Sequence, residues 1–498
     1  MRNKVVLFFP PYDGPPLGAP VSLLSLASTL LENGFAVKVI DAAAVPDYER
    51  VVAAEIEDAL CFGVSLLTGA MIRATIRVGR MVRRLRPELP IVFGGWHPTL
   101  MAEQTLREDF IDIIVRGQGE VTLLELAQRL QRGDAFDGVA GVSFRRDGRI
   151  VHNPERPVVN LNQLPTPAYS LVDFETYERA RGVREVGYAS SVGCPYACNY
   201  CTDQVFYKRR FNACTAERVV RDVLDLVERY GVREVAFLDS NFPVDLNRAL
   251  AIAAGFVESK VKFRWTVQAS TDLLCRMSDD QVRLLGESGL YHMGFGTESA
   301  SEQVLRFMNK RHQRVADMFE TARKTEAAGI RTTFNVIVGY PGESEQDRVQ
   351  TFRTMSEIAR QFSNVSFSPN IFTPYPGIPI WPQLRELGVY EPQTLEEWAN
   401  VSLGNNLLPW LQGEELRRLR RMIEYFLLNN QIRRGTANAR LLRNATRRAL
   451  GAPLRWRLRH NRFSFPWELW VARATERLVS RRSLLTGQEL AHGMGDVC

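Results

Sequence analysis

The sequence predicts an α/β protein in three parts: a doubly wound parallel sheet, then a partial (β/α)6 barrel, then a mainly helical C-terminal region. Three observations carry this reading. Short apolar runs alternate with amphipathic stretches up to about residue 140. A second alternation, of about six units, follows between residues 186 and 385. Beyond about residue 390, strand-like runs give way to helical runs rich in Arg and Leu. A length of 498 residues suits about three domains of ~100–200 residues each. The expected boundaries are 1–140, 141–185, 186–385 and 386–498.

Val5-Val6-Leu7-Phe8-Phe9 is continuously apolar, as expected of a strand covered on both faces. A Gly/Pro loop leads into a helix through Leu23, Leu24, Leu26, Ala27, Leu30 and Leu31, which Asn33-Gly34 ends. Strands are then expected at 35–41, 61–65, 91–95 and 111–115. An Asp147-Gly148 turn between two short β-prone runs predicts a hairpin, read as a connector. Pro165 and Pro167 mark a linker. The second series of strands is expected near 188–192, 233–238, 263–269, 291–296, 331–338 and 365–372. In both architectures ligands belong where strands end.

Composition narrows the class. An apolar fraction of 45% with 24% charged residues excludes wholesale disorder. No apolar run is long enough to span a bilayer. The apolar start is broken by Pro10-Pro11 without a cleavage-site pattern, so it reads as a first strand, not a leader. The seven cysteines are odd in number, with Cys194, Cys198 and Cys201 in eight residues. That pattern suits metal or cluster binding in a reducing, cytoplasmic setting better than a disulfide framework.

The Cys194-Pro195-Tyr196-Ala197-Cys198-Asn199-Tyr200-Cys201 loop sets three thiols at C-x3-C-x2-C spacing just after an expected strand. Three thiolates can hold three corners of a cubane iron–sulfur cluster, leaving one iron open. Structural zinc needs a fourth ligand, and Cys214 is the nearest candidate, although it reads as a core residue at a helix start. The triplet, with Tyr200 before its last Cys, resembles the radical S-adenosylmethionine superfamily, and motifs at later strand ends follow in order. They are Leu238-Asp239-Ser240-Asn241, Gly294-Phe295-Gly296-Thr297-Glu298 and Asn335-Val336-Ile337-Val338-Gly339-Tyr340-Pro341. The resemblance implies a TIM-type core with a [4Fe-4S] cluster on Cys194, Cys198 and Cys201. It implies S-adenosylmethionine contacts from Tyr200, Asp239, Ser240, Glu298, Asn335 and Gly339. Taken singly, Asp239 and Glu298 also read as loop caps.

The first part resembles the Rossmann-like cobalamin-binding domain that precedes the radical core in one branch of that superfamily. Ser65-Leu66-Leu67 and Gly94-Gly95 match two of its three motifs. The third, which carries a cobalt-ligating His, is replaced by Pro10-Pro11-Tyr12-Asp13-Gly14. The resemblance implies cobalamin contacts from Pro11, Tyr12, Ser65, Leu66, Gly94, Gly95, His97 and Glu120. An NAD-type site lacks its G-x-G-x-x-G turn.

The combined resemblance implies an enzyme that makes a 5′-deoxyadenosyl radical and methylates an unactivated carbon through methylcobalamin, on a lipid, isoprenoid or other hydrophobic product. Oxidative ring closure or ring contraction with the same cofactors is the alternative, and a non-catalytic cobalamin sensor a further one. A reductant such as flavodoxin or ferredoxin is expected as partner. The Arg- and Trp-rich C-terminal region suggests a solvated helical face or peripheral membrane contact. No nucleic-acid-binding module is recognisable.

Overall fold

The computed structural model describes residues 2–12, 18–403, 405–434, 441–460 and 462–479. Asp13, Gly14 and Cys498 lie outside them, as do the side chains of 440–443 and 447–448.

The first sheet contains β1 (Lys4–Phe9), β2 (Ala36–Asp41), β3 (Ala59–Ser65), β4 (Ile91–Gly94), β5 (Ile113–Val115), β6 (Val142–Arg146) and β7 (Arg149–His152). Its strand order is β2-β1-β3-β4-β5-β6-β7. The first five strands are parallel, and the β6–β7 hairpin adds antiparallel to β5. The hairpin therefore extends the first domain to about residue 153 and is no free connector. Val5, Val6, Leu7 and Phe8 are each at most 1% exposed, which is why no polar residue interrupts them. Each such burial contributes roughly 1.5–3 kcal/mol.

β8 (Glu185–Tyr188) starts the second sheet, and the short β9 (Ser191–Val192) and β10 (Asn212–Ala213) pair with each other around the cysteine loop. β11 (Glu234–Phe237), β12 (Arg264–Ala269), β13 (Leu290–Glu298), β14 (Arg331–Val338) and β15 (Val365–Ile371) complete the second sheet. Six parallel strands run in the order β15-β14-β13-β12-β11-β8, and β15 does not pair with β8. This is the expected partial barrel. Phe237, Phe242, Phe256 and Trp265 fill the space behind it with mutual edge-on and tilted ring contacts.

Helices Gly413–Arg434, Leu441–His460 and Trp467–Val479 follow. The first packs on β15, with Phe426 against Phe352 and Phe367 at 5.4 and 6.0 Å. Three arginines of its first turns are ordinary solvated partners: Arg417 and Arg421 bind Glu414, and Arg418 binds Glu345. Before these helices, residues 392–403 run back as a strap over the first domain. Trp398 Nε1 donates to Gln104 Oε1 (2.6 Å), Gln104 Nε2 to Pro392 O (3.0 Å), and Arg73 to Asn400 (2.6 Å). No helix among the described residues is long and apolar enough to cross a membrane.

Candidate active site

The carboxyl ends of both sheets and the strap enclose one cavity of about 1280 Å³. Its walls include Tyr12, Ser65, Gly94, Gly95 and Glu120 from the first domain. Cys194, Cys198, Cys201, Tyr200, Ser240, Glu298, Lys310 and Asn335 come from the second, and Val401 to Leu403 from the strap. A space of this size at the junction of two domains is where a large ligand is expected.

The cysteine loop is pinned from outside. Asn309 Nδ2 donates to Ala197 O (2.7 Å), Asn199 Nδ2 to Phe307 O (2.8 Å), and Tyr340 OH to Asn199 Oδ1 (2.6 Å). With its backbone fixed this way, the loop presents three unpaired thiols to the cavity. Burial pushes them up, Cys194 to about 11, so ionisation there needs a compensating cation. Lys310, a buried ammonium, supplies part of that field at Cys198 and Cys201. Among the described residues no three His, Cys, Asp or Glu side chains converge on a single-ion position. Cys214 is buried beside Arg248, whose Nε donates to its carbonyl (2.7 Å). The donor set thus suits a multi-iron cluster and not a four-coordinate zinc.

Glu298 reaches the cavity through a local irregularity. The β13–β14 register slips between Gly296 and Glu298, and Glu298 has φ +59°. Its carboxylate folds back over Gly296, where a Cβ would lie 2.5 Å from Glu298 Oε1, so a side chain there would displace the carboxylate. Tyr200 OH (2.9 Å) and Lys310 Nζ (3.2 Å) both donate to Oε1. Asn335 Oδ1 is buried without a partner on the same wall. These groups form a polar cradle next to the cysteines.

Asp239 sits elsewhere. It is wholly buried, outside the cavity wall, and accepts from Ser190 N (2.8 Å), Ser190 Oγ (2.6 Å) and Ser191 Oγ (2.6 Å). Burial raises its pKa against the pull of Arg248. It ties β11 to the segment leading into the cysteine loop. Its neighbours Leu238 and Ser240 face the cavity instead, and Ser240 Oγ donates to Asp203 Oδ1 (2.8 Å). Asp203 lines the cavity too; burial raises it to about 6, and Oδ2 has no partner. Gly339 also stands outside the wall. Its N–H donates to Glu343 Oε2 (2.5 Å) and its carbonyl accepts from Trp410 Nε1 (3.1 Å). Sequence reasoning missed Lys310 and Asp203. Lys310 lies in a turn with no motif around it, whereas Asp203's place two residues after Cys201 could have marked it.

On the first domain, Ser65, Gly94, Gly95, Tyr12 and Glu120 meet at one rim. Glu120 Oε1 accepts from Ser25 Oγ (2.8 Å), while Oε2 and the neighbouring Gln118 Nε2 are buried and unpartnered. Gly95 has φ +93°, and a Cβ would meet Leu66 N and O at 2.9 Å, so this glycine is required by the fold itself. Gly94 is freer, its nearest neighbour lying 3.4 Å away at Val115 O. Pro11 and Leu66 are not in the wall; Leu66 is fully buried and uses its backbone to hold Gly94 and His97. His97 is also buried behind the wall, bonded to Thr68 (3.0 Å) and packed on Trp398 (5.9 Å). Burial drives its pKa down to about 3, and Nε2 is unpartnered.

Residues 188–355 match the family model of the radical SAM superfamily, and residues 4–127 match that of the B12 binding domain. Together these span more than half of the chain. This chain belongs to the cobalamin-dependent radical S-adenosylmethionine enzymes. Its cofactors are therefore a [4Fe-4S] cluster, S-adenosylmethionine and cobalamin. The thiol triplet offers metal ligands, the Glu298–Asn335 cradle hydrogen-bond acceptors, and the Glu120–Gln118 rim an unpartnered acceptor and donor, a set that fits these groups. An uncharacterized methyltransferase of Pyrococcus horikoshii is 28% identical over 396 residues, 76% of this chain and 82% of the relative. The anaerobic magnesium-protoporphyrin IX monomethyl ester cyclase of Synechocystis sp. is 25% identical, covering 75% of this chain and 77% of its own. Among solved structures, the cobalamin-dependent radical enzyme OxsB with aqua-cobalamin bound superposes with a TM-score of 0.76 at 16% identity. That match covers 99% of this chain and 78% of OxsB, and it speaks to the fold.

Proposed function

We propose that this enzyme methylates an unactivated carbon of a hydrophobic small molecule. The observation that carries the reading is that the three cysteines and the B12-domain rim open on one shared cavity, so chemistry begun at one can be completed at the other. The Pyrococcus relative, matched over most of its length, bears a methyltransferase name. The cofactors supply radical generation and a transferable methyl group when bound. The protein supplies placement and exclusion of water.

In this reading Cys194, Cys198 and Cys201 hold the cluster. Glu298, oriented by Tyr200 and Lys310, and Asn335 and Ser240 position S-adenosylmethionine. Tyr12, Ser65, Gly94 and Glu120 meet the corrin side, while Asp239, Gly339, Leu66 and His97 support the walls from behind. The strap residues Val401 to Leu403 close the cavity over an apolar substrate. The electron comes from a separate small reductant protein of the flavodoxin or ferredoxin kind, in the reducing cytoplasm that the free thiols suit.

The test is anaerobic reconstitution with iron, sulfide and hydroxocobalamin, followed by methyl-labelled S-adenosylmethionine and a reductant. The expected result is joint formation of 5′-deoxyadenosine and S-adenosylhomocysteine with label on cobalt. Formation of 5′-deoxyadenosine alone, with cobalamin bound but never methylated, would overturn methyl transfer. It would favour ring formation, as in the Synechocystis cyclase.

A further inference from the structure

Five of the twelve exposed large hydrophobic side chains among the described residues crowd into sixteen positions at the junction of the last two helices. They are Trp456, Phe465, Trp467, Trp470 and Val471, with Phe465 68% and Trp456 54% exposed. The crowding is built, not incidental. Arg457, buried, is bound to Glu468 (2.5 Å), which also accepts from Tyr425 OH (2.8 Å). The same guanidinium takes the carbonyls of Arg462 (3.2 Å), Ser464 (2.6 Å) and Phe465 (2.8 Å). With the loop's carbonyls drawn inward and Phe463 buried against Tyr425 (5.3 Å), Phe465 is left on the outside. Phe465 is held at φ +51°, an uncommon place for a bulky residue, and packs edge-on against Trp470 at 5.2 Å.

The stretch of chain that builds the tip carries charge of one sign. No Asp or Glu occurs between Tyr425 and Trp467, and Glu468 is consumed by Arg457. Arg455, His460 and Arg462 are exposed on the same stretch of chain, His460 against Trp456 (4.8 Å), whereas Arg459 faces Glu357 of a neighbouring helix. Exposed aromatic rings on a stretch of chain that carries exposed arginines and no exposed acid match the boundary of an anionic bilayer, where rings settle at headgroup depth and cations meet phosphates.

We propose that this tip docks the enzyme on an anionic lipid surface, with Phe465, Trp467 and Trp470 entering the headgroup boundary. The proposal is independent of the reaction in the cavity, and its test reads no activity. The intact protein is floated with vesicles of mixed phosphatidylglycerol and phosphatidylcholine, and with phosphatidylcholine alone, at low and high salt. Tryptophan quenching by brominated lipid is read alongside. The expected result is salt-sensitive flotation with the anionic vesicles only, with quenching. Arg455→Gln with Arg462→Gln should weaken partition roughly thirtyfold, about fivefold per cation. Phe465→Asn with Trp470→Ser should abolish quenching; Asn tolerates the left-handed backbone, and circular dichroism checks the fold. Failure of the wild type to float would overturn the proposal, as would equal flotation of both variants. Sedimentation showing that the tip pairs two copies of the chain, without vesicle binding, would overturn it too.

Discussion

Asp239 separates two readings of the strand-end motif. If the carboxylate is a strut, replacing it by Ala strands three donors, Ser190 N, Ser190 Oγ and Ser191 Oγ, in a site with no exposure. At ~1–3 kcal/mol per stranded buried group, partly relieved by rotation of the two hydroxyls, the loss comes to roughly 3–5 kcal/mol. Arg248 adds to it, since its buried charge loses the field of that carboxylate. For a core of about two hundred residues that lowers the melting midpoint by roughly 10 °C. Differential scanning fluorimetry of the apoprotein, with equilibrium dialysis of S-adenosylmethionine on the reconstituted protein, reads both sides. Asp239→Asn, which keeps the shape, should lose about half as much stability and bind S-adenosylmethionine within about threefold of wild type. An Asn variant with a wild-type midpoint and binding weakened more than about tenfold would refute the strut.

Lys310→Met should leave Glu298 a buried carboxylate without its cation and cost about 3 kcal/mol, while Lys310→Met with Glu298→Gln recovers most of it in urea titrations. His97, held neutral with its pKa near 3, contributes stability that is complete above about pH 6.5 and falls as pH drops toward 3, by ~1.4 kcal/mol per unit. Between pH 7 and 4.5, His97→Gln should therefore lose about 3 kcal/mol less than wild type in matched denaturant titrations. Gly95→Ala should destabilise the cobalamin-free protein by over about 2 kcal/mol, because its Cβ meets Leu66 backbone. Gly94→Ala should leave that midpoint near wild type and weaken cobalamin binding, as seen by visible absorbance after gel filtration.

Most of the architecture was legible because buried parallel strands announce themselves as unbroken apolar runs, such as Val5 to Phe9 and Ile113 to Val115. The β6–β7 hairpin was seen, but its attachment to β5 was not, since which edge a hairpin joins is a tertiary fact. The cysteines, Glu298 and Asn335 were singled out by spacing and place, and the fold brings them to one cavity wall. Asp239 stands off the cavity wall for a reason local pattern does not announce: along an extended chain side chains alternate, so Leu238 and Ser240 facing the cavity turn Asp239 away from it. The Gly94-Gly95 pair looked like one device and is two. Its second member answers to Leu66, a contact no local pattern encodes. Lys310 was hidden because a lysine in a turn ordinarily reads as solvent-exposed, and only the fold swings it beside Glu298.

The strap has a consequence for how the protein is made. Trp398 and Asn400 reach back across some three hundred residues to Gln104 and Arg73, and Val401 to Leu403 supply the last wall of the cavity. On a ribosome, the first sheet can fold long before that wall exists. During that interval its rim is an open shelf, and a corrin can be laid on it without passing any gate. After the strap arrives, the same rim is one side of a cavity whose other side includes Val401 to Leu403. Loading during synthesis and loading of the finished chain are thus different events, with different barriers, and the strap divides them.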